Sequence, residues 1–149
     1  MMLKLWPGAE RFALSDALSV ECRIHHHMTE RDPKILQDVG MWFREYKPGI
    51  WLNVLYQTIK DRQPEAAIIT GVRFADEAEL VRDLGGSIVR IVRADNGTRF
   101  VSPDRNPNHA AERDIDSLEA DAEIVAASGD LAGLERGLRQ WLESRTVAA

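Results

Sequence analysis

The sequence predicts a single α/β domain over residues 1–149, with a mainly parallel sheet flanked by helices. Three observations predict it. Helical and strand patterns alternate along the chain, the order expected of an α/β architecture. Residues 66–72, AAIITGV, form a nearly continuous apolar run, as in a strand covered on both faces of a parallel sheet. A second run, SIVRIVR at 87–93, follows an amphipathic stretch and a Gly85-Gly86 stop. Residues 66–93 therefore read as a β-α-β unit with a right-handed crossover.

Each element has a local justification. Residues 11–15, RFALS, suit a short strand, and a short helix follows from Ser15 or Asp16 to about Arg23. Asp32 is a good N-cap and Pro33 a good first helical residue. Ile35, Leu36, Val39, Trp42, Phe43 and Tyr46 then recur at helical spacing as one broad apolar stripe, and Lys47-Pro48-Gly49 ends it. The next helix carries Ile50, Trp51, Val54, Leu55 and Ile59 on one face and stops before Pro64. Asp76, with Glu79 three residues on, resembles a capping box for the helix that buries Leu80, Val81 and Leu84. Residues 94–117 are polar and read as a loop or lid, with Asp95-Asn96-Gly97 as a turn and 98–102 as a returning strand. Residues 121–126 suit a last strand. Leu131, Leu134, Leu138, Trp141 and Leu142 mark a C-terminal amphipathic helix.

Composition narrows the function classes. The net charge is −5, which argues against nucleic acid as a partner, since that needs a basic footprint. No apolar run reaches the roughly 18 residues of a membrane span, and the N-terminus lacks a signal-peptide pattern, so no membrane partner and a cytoplasmic location are expected. Cys22 is the only cysteine and fits a reducing compartment. Cys22 and His26 share a helical face, but two ligands do not make a structural zinc site, so no metal centre is expected from them.

The run IITGVRFADEAELVRDLGGSIVRIVR resembles the signature of phage-type deoxynucleoside monophosphate kinases through Val72, Arg73, Phe74, Glu77, Ala78, Glu79, Gly85, Gly86, Arg90 and Arg93. Phe12–Leu18, Leu36–Gly40, Arg44, Trp51, and the pair His109 and Glu112 match further family segments in order. The resemblance covers about residues 12–143. It implies a P-loop kinase-like core, a parallel sheet flanked by helices with a lid at about 94–117, and transfer of the γ-phosphate of ATP, with magnesium, to a deoxynucleoside monophosphate. It assigns catalytic charge to Arg73 and Arg93. It assigns substrate binding to Gln37, Arg44, Trp51, Arg73 and Phe74, and lid contacts to Arg99, Arg105, His109 and Glu112.

One part of that pattern is missing. No G-x-x-x-x-G-K-[ST] segment occurs, and no glycine is followed by lysine. The expected fold is thus the kinase-like core without its first strand-loop-helix. A P-loop supplies backbone N–H groups, a lysine and a magnesium-binding hydroxyl, so phosphoryl transfer is expected to be weak. Gly71 and Ala111 stand where the family has aspartate and serine. Arg73 reads either as a nucleotide contact or as the ion-pair partner of a carboxylate. Trp51 reads either as the floor of a base pocket or as core. Two functions follow: a deoxynucleoside monophosphate-binding kinase-like protein needing magnesium and ATP for any transfer, or a non-catalytic module for nucleotide or protein interaction, such as a homodimer. A third account places the true start upstream of Met1, where a P-loop would be encoded.

Overall fold

The computed structural model describes residues 1–93, 106 and 108–146. Its elements run in the order α1 (Met2–Leu5), β1 (Ala9–Ala13), α2 (Ser15–His25), α3 (Pro33–Tyr46), α4 (Ile50–Arg62), β2 (Ala66–Thr70), α5 (Ala75–Asp83), β3 (Val89–Arg93), α6 (Ala110–Arg113), a 3₁₀ turn (Asp114–Ser117), β4 (Ala122–Ala126) and α7 (Leu131–Thr146). The chain is α/β, and both of its strand pairings are parallel. The predicted strand at 98–102, its turn at 95–97 and most of the proposed lid fall outside the described residues.

Sheet connectivity departs from the expected single sheet. β1 pairs with β2, with Phe12 opposite Ile69, and β3 pairs with β4, with Ile91 opposite Ile124. The described strands therefore form two two-stranded sheets. β2 and β3, the strands of the predicted β-α-β unit, are consecutive across α5 but not hydrogen-bonded to each other. The apolar run at 66–72 is accordingly only half-buried, because among the described residues β2 has a strand partner on one side alone.

The helices form where the sequence places their signals. Asp32 Oδ1 accepts from the N–H groups of Lys34 (2.8 Å) and Ile35 (3.1 Å), and Pro33 follows the cap. Gly49, at φ +77°, makes the left-handed turn that separates α3 from α4. The start of α5 differs from expectation. Phe74, not Asp76, is its N-cap residue, and Glu77 Oε2 reaches back to the Phe74 N–H at 3.2 Å. Phe74 can offer no side-chain acceptor, so the capping comes from the carboxylates of Glu77 and of Asp76, whose Oδ1 accepts from the Glu77 N–H at 3.0 Å.

Two small clusters hold most of the core. Phe12, Leu14 and Leu55 pack with Ile59, Ile69 and Leu80, joining β1, β2, α4 and α5. Cys22, Met28 and Leu36 pack with Leu18, Ile35 and Val39, joining α2 and α3. A Cβ on Gly40 would stand 2.9 Å from Leu18 Cδ2, so this glycine lets α3 approach α2 closely. The stripe predicted on α3 is buried only at its N-terminal end. Leu36 is 7 % exposed, whereas Trp42 and Tyr46 are 57 % and 76 % exposed and stack on each other at 5.5 Å. Phe43, between them, is half-buried against Trp51 of α4, so it is the Trp42–Tyr46 side of the helix end that is left exposed.

Candidate functional site

A cavity of about 230 Å³ opens between α2, α3, the start of α4, the β2–α5 connection and α6. Its apolar wall includes Leu14, Leu18, Leu36, Met41, Trp51 and Phe74. Its charged groups are Arg31, Arg44 and Arg73 against Glu77 and Glu112. Ser15, Gln37 and His109 add uncharged polar groups to the lining.

Helix geometry sets the α3 contribution. Gln37, Gly40, Met41 and Arg44 follow one another at three- and four-residue steps, so they lie along one side of the helix. Gly40 has a second role, because its carbonyl accepts from Trp51 Nε1 at 3.2 Å. That bond and an edge-on contact with Phe43 at 5.4 Å fix the indole at the cavity wall. Trp51 is thus a packing residue that also lines the cavity.

Glu77 organises the charged side. It is 6 % exposed. Its Oε2 accepts from the backbone N–H groups of Arg73 at 2.7 Å and Phe74 at 3.2 Å. Its Oε1 accepts from Arg44 Nη2 at 2.6 Å. Asp76 takes the other arm of the Arg44 guanidinium through Nη1. The guanidinium also stacks over the Phe74 ring, 4.1 Å from its centroid. Burial pushes the Glu77 carboxyl above its ordinary value of 4.5, outweighing the two backbone donors and the Arg44 charge, which pull it down.

Arg73 Nη1 donates to Glu112 Oε1 at 2.8 Å, and the Glu112 side chain is only 4 % exposed. The ion-pair reading of Arg73 therefore holds in this state, with a partner from α6. Arg44 is not on a solvated helix face, since its side chain is 19 % exposed and paired twice. Gln37 Oε1 accepts from the Asn106 N–H at 3.3 Å. A backbone N–H can only donate, so this bond fixes the amide orientation and leaves Nε2 inward. That Nε2 is shielded from solvent and has no hydrogen-bond partner among the described residues.

Of the residues singled out in the sequence, Gln37, Arg44, Trp51, Arg73, Phe74, His109 and Glu112 all line the one cavity. Arg93 does not. It ends β3 with an exposed side chain, in the sheet that contributes nothing to the cavity wall. Arg99 and Arg105 lie outside the described residues. Sequence reasoning missed Arg31 and Met41, and it counted Glu77 as a match to the family signature, not as a site residue. The signal for Glu77 was its spacing three residues after Phe74, the back-capping position. Gly71, where the resembling family has aspartate, sits at φ +82° in the β2–α5 connection. That left-handed backbone favours glycine and disfavours a side chain.

Among the described residues, no three or more His, Cys, Asp or Glu side chains are grouped to hold a metal ion. Among the same residues, no helix is long and apolar enough to cross a membrane. No family model matches the chain, and neither a curated protein nor a solved structure matches it.

Proposed function

We propose that the chain is a deoxynucleoside monophosphate kinase-like protein that binds a deoxynucleoside monophosphate in this cavity. One observation carries the proposal. Seven side chains that the resemblance picked from separate segments, Gln37 through Glu112, converge on one cavity. The base is assigned to the apolar wall around Trp51 and Met41, and the phosphate to the guanidinium groups of Arg44 and Arg73. Arginine suits that task because its planar fork matches phosphate oxygens. Gln37 Nε2 is a buried donor without an acceptor among the described residues, at a cost of about 1–3 kcal/mol, and a small local shift would present it to the ligand. Transfer to the bound monophosphate would need magnesium and ATP, held by groups other than a P-loop. The reading is therefore acceptor binding with weak or no phosphoryl transfer.

Thermal denaturation with a panel of deoxynucleoside monophosphates, and with ATP–magnesium as contrast, tests this. Ligand at about 100-fold excess over Kd adds about 2.7 kcal/mol of stability. Stabilisation by one or more monophosphates but not by ATP is the expected result. No shift with any monophosphate would sink the reading.

A second reading, a protein-interaction module or homodimer, is favoured by a different observation. Among the described residues, β2 and β3 each lack a strand partner on one edge, and Trp42 and Tyr46 are exposed beside each other. Unpaired edges and apolar patches favour association. Sedimentation equilibrium over a wide concentration range separates the readings, since a monomer throughout counts against self-association.

A further inference from the structure

The charged side of the cavity is already neutralised from within, which poses a problem for an anionic ligand. Arg44 is held by Glu77 and Asp76, and Arg73 by Glu112. A phosphate placed on Arg44 or Arg73 must take guanidinium donors from carboxylates, whereas Arg31 has no carboxylate partner among the described residues. The two carboxylates on Arg44 differ in what happens next. The Asp76 side chain is 41 % exposed and can be solvated when Arg44 leaves. The Glu77 side chain is 7 % exposed and cannot. A buried carboxylate that loses its cation and gains an anion beside it is strongly disfavoured in its charged form.

We propose that Glu77 is a proton-linked placeholder for the ligand's phosphate: the anion takes Arg44 from Glu77 Oε1, and that oxygen takes up one proton from solvent. This rests on the reading of the cavity as a monophosphate site. The two oxygens of Glu77 divide the work. Oε2 keeps its donors, the N–H groups of Arg73 and Phe74, so the start of α5 stays capped. Oε1, freed from Arg44, becomes an O–H that can donate to the phosphate. The carboxyl thus changes from a competitor of the ligand to a donor for it. Burial already raises the Glu77 pKa in the free protein, which makes the step easier. The other ionisable groups at hand are Asp76 on the same helix, Arg31 and Arg44 from the α2–α3 side, and Arg73, His109 and Glu112 across the cavity. His109 and the nucleotide's own phosphate, whose second pKa is about 6, are the other groups there that can take a proton, while Glu112 keeps Arg73 Nη1 on the assigned route; the difference between wild type and Glu77→Gln isolates the carboxyl.

Calorimetric titration of the full chain with thymidine monophosphate and with deoxyguanosine monophosphate at pH 7, each in two buffers of different ionisation enthalpy, counts protons taken up on binding. The expected result is net uptake by the wild type and by His109→Asn, and none by Glu77→Gln. The Glu77→Gln variant is also expected to bind more tightly at pH 7, because the competing charge is gone. In the wild type, Kd should fall by up to about tenfold per unit decrease in pH for each proton taken up. Binding without uptake, or uptake lost in His109→Asn and kept in Glu77→Gln, overturns the placeholder role while leaving the monophosphate reading intact. Absence of binding to either nucleotide overturns both. Should Glu77→Gln fail to fold, the infrared difference spectrum of the wild type decides alone. A protonated carboxyl band that grows on adding nucleotide supports the proposal, and its absence overturns it.

Discussion

Arg44 and Glu77 come from elements far apart in the chain, yet each is the other's main reason for being where it is. The arginine neutralises a carboxylate that burial would otherwise expel, and the carboxylate caps α5 while aiming the arginine into the cavity. Removing one member of a buried pair leaves an uncompensated charge, which costs about 3–5 kcal/mol. Arg44→Ala is therefore expected to lower unfolding free energy by about 3 kcal/mol, offset in part by the exposure of Asp76. Arg44→Lys should lose less, because it keeps the charge while giving up the two-armed contact. Chemical denaturation of the two variants measures the difference.

Acid titration probes the same residue. The Glu77 pKa is raised in the folded protein, so the folded state holds more protons than the unfolded one at pH values just above the ordinary value. Stability from this group is greatest at acid pH and is lost as pH rises through the raised pKa, by up to about 1.4 kcal/mol per pH unit. The opposite trend from other carboxylates is removed by subtraction. The stability of wild type minus that of Glu77→Gln should fall with rising pH across that window and level off above it. A difference that rises with pH would contradict the burial of an ionised Glu77.

At the scale of elements, the sequence signals were strongest where chemistry is local. The Asp32-Pro33 start, the Lys47-Pro48-Gly49 break and the Gly85-Gly86 stop each fix a backbone conformation within a few residues, and each holds in the structure. The N-cap of α5 lies two residues before the expected Asp76, with Glu77 rather than Glu79 reaching back to it, because packing selects Glu77 as the acidic residue to bury. The α7–β4 contact supplies an element-scale test. A Cβ on Gly137 would stand 2.6 Å from Ile124 Cγ2, and Ile124 is a branched, buried side chain opposite the helix. Gly137→Ala gains about 1 kcal/mol of helix propensity but overpacks at a cost of about 1–3 kcal/mol. Net destabilisation is expected in thermal unfolding, with relief by the companion change Ile124→Val.

At the scale of the whole molecule, the two sheets divide the described structure. β1, β2 and α4 share one apolar cluster, while β4 packs against α7. Two-stranded sheets are marginal alone and depend on helix packing. Amide hydrogen exchange is therefore expected to resolve two protected units, one over 9–13 and 66–70 and one over 89–93 and 122–126. Identical protection across both would show instead that they open together. The cavity belongs with the first unit, which is why Arg93 lies away from it although its strand reads in sequence as a neighbour of β2.

The sequence by itself determined the α/β class and the bounds of most helices and strands. These rest on local rules: apolar periodicity, caps, and glycine at left-handed positions. Only the tertiary structure decided that Gln37, Arg44, Trp51, Arg73 and Glu112 share one cavity, that the arginines there are held by Glu77, Asp76 and Glu112, and that β2 and β3 remain unpaired with each other. Such contacts join residues tens of positions apart. Their free energies depend on burial and on which partner is nearest, and neither is encoded in the spacing of one segment.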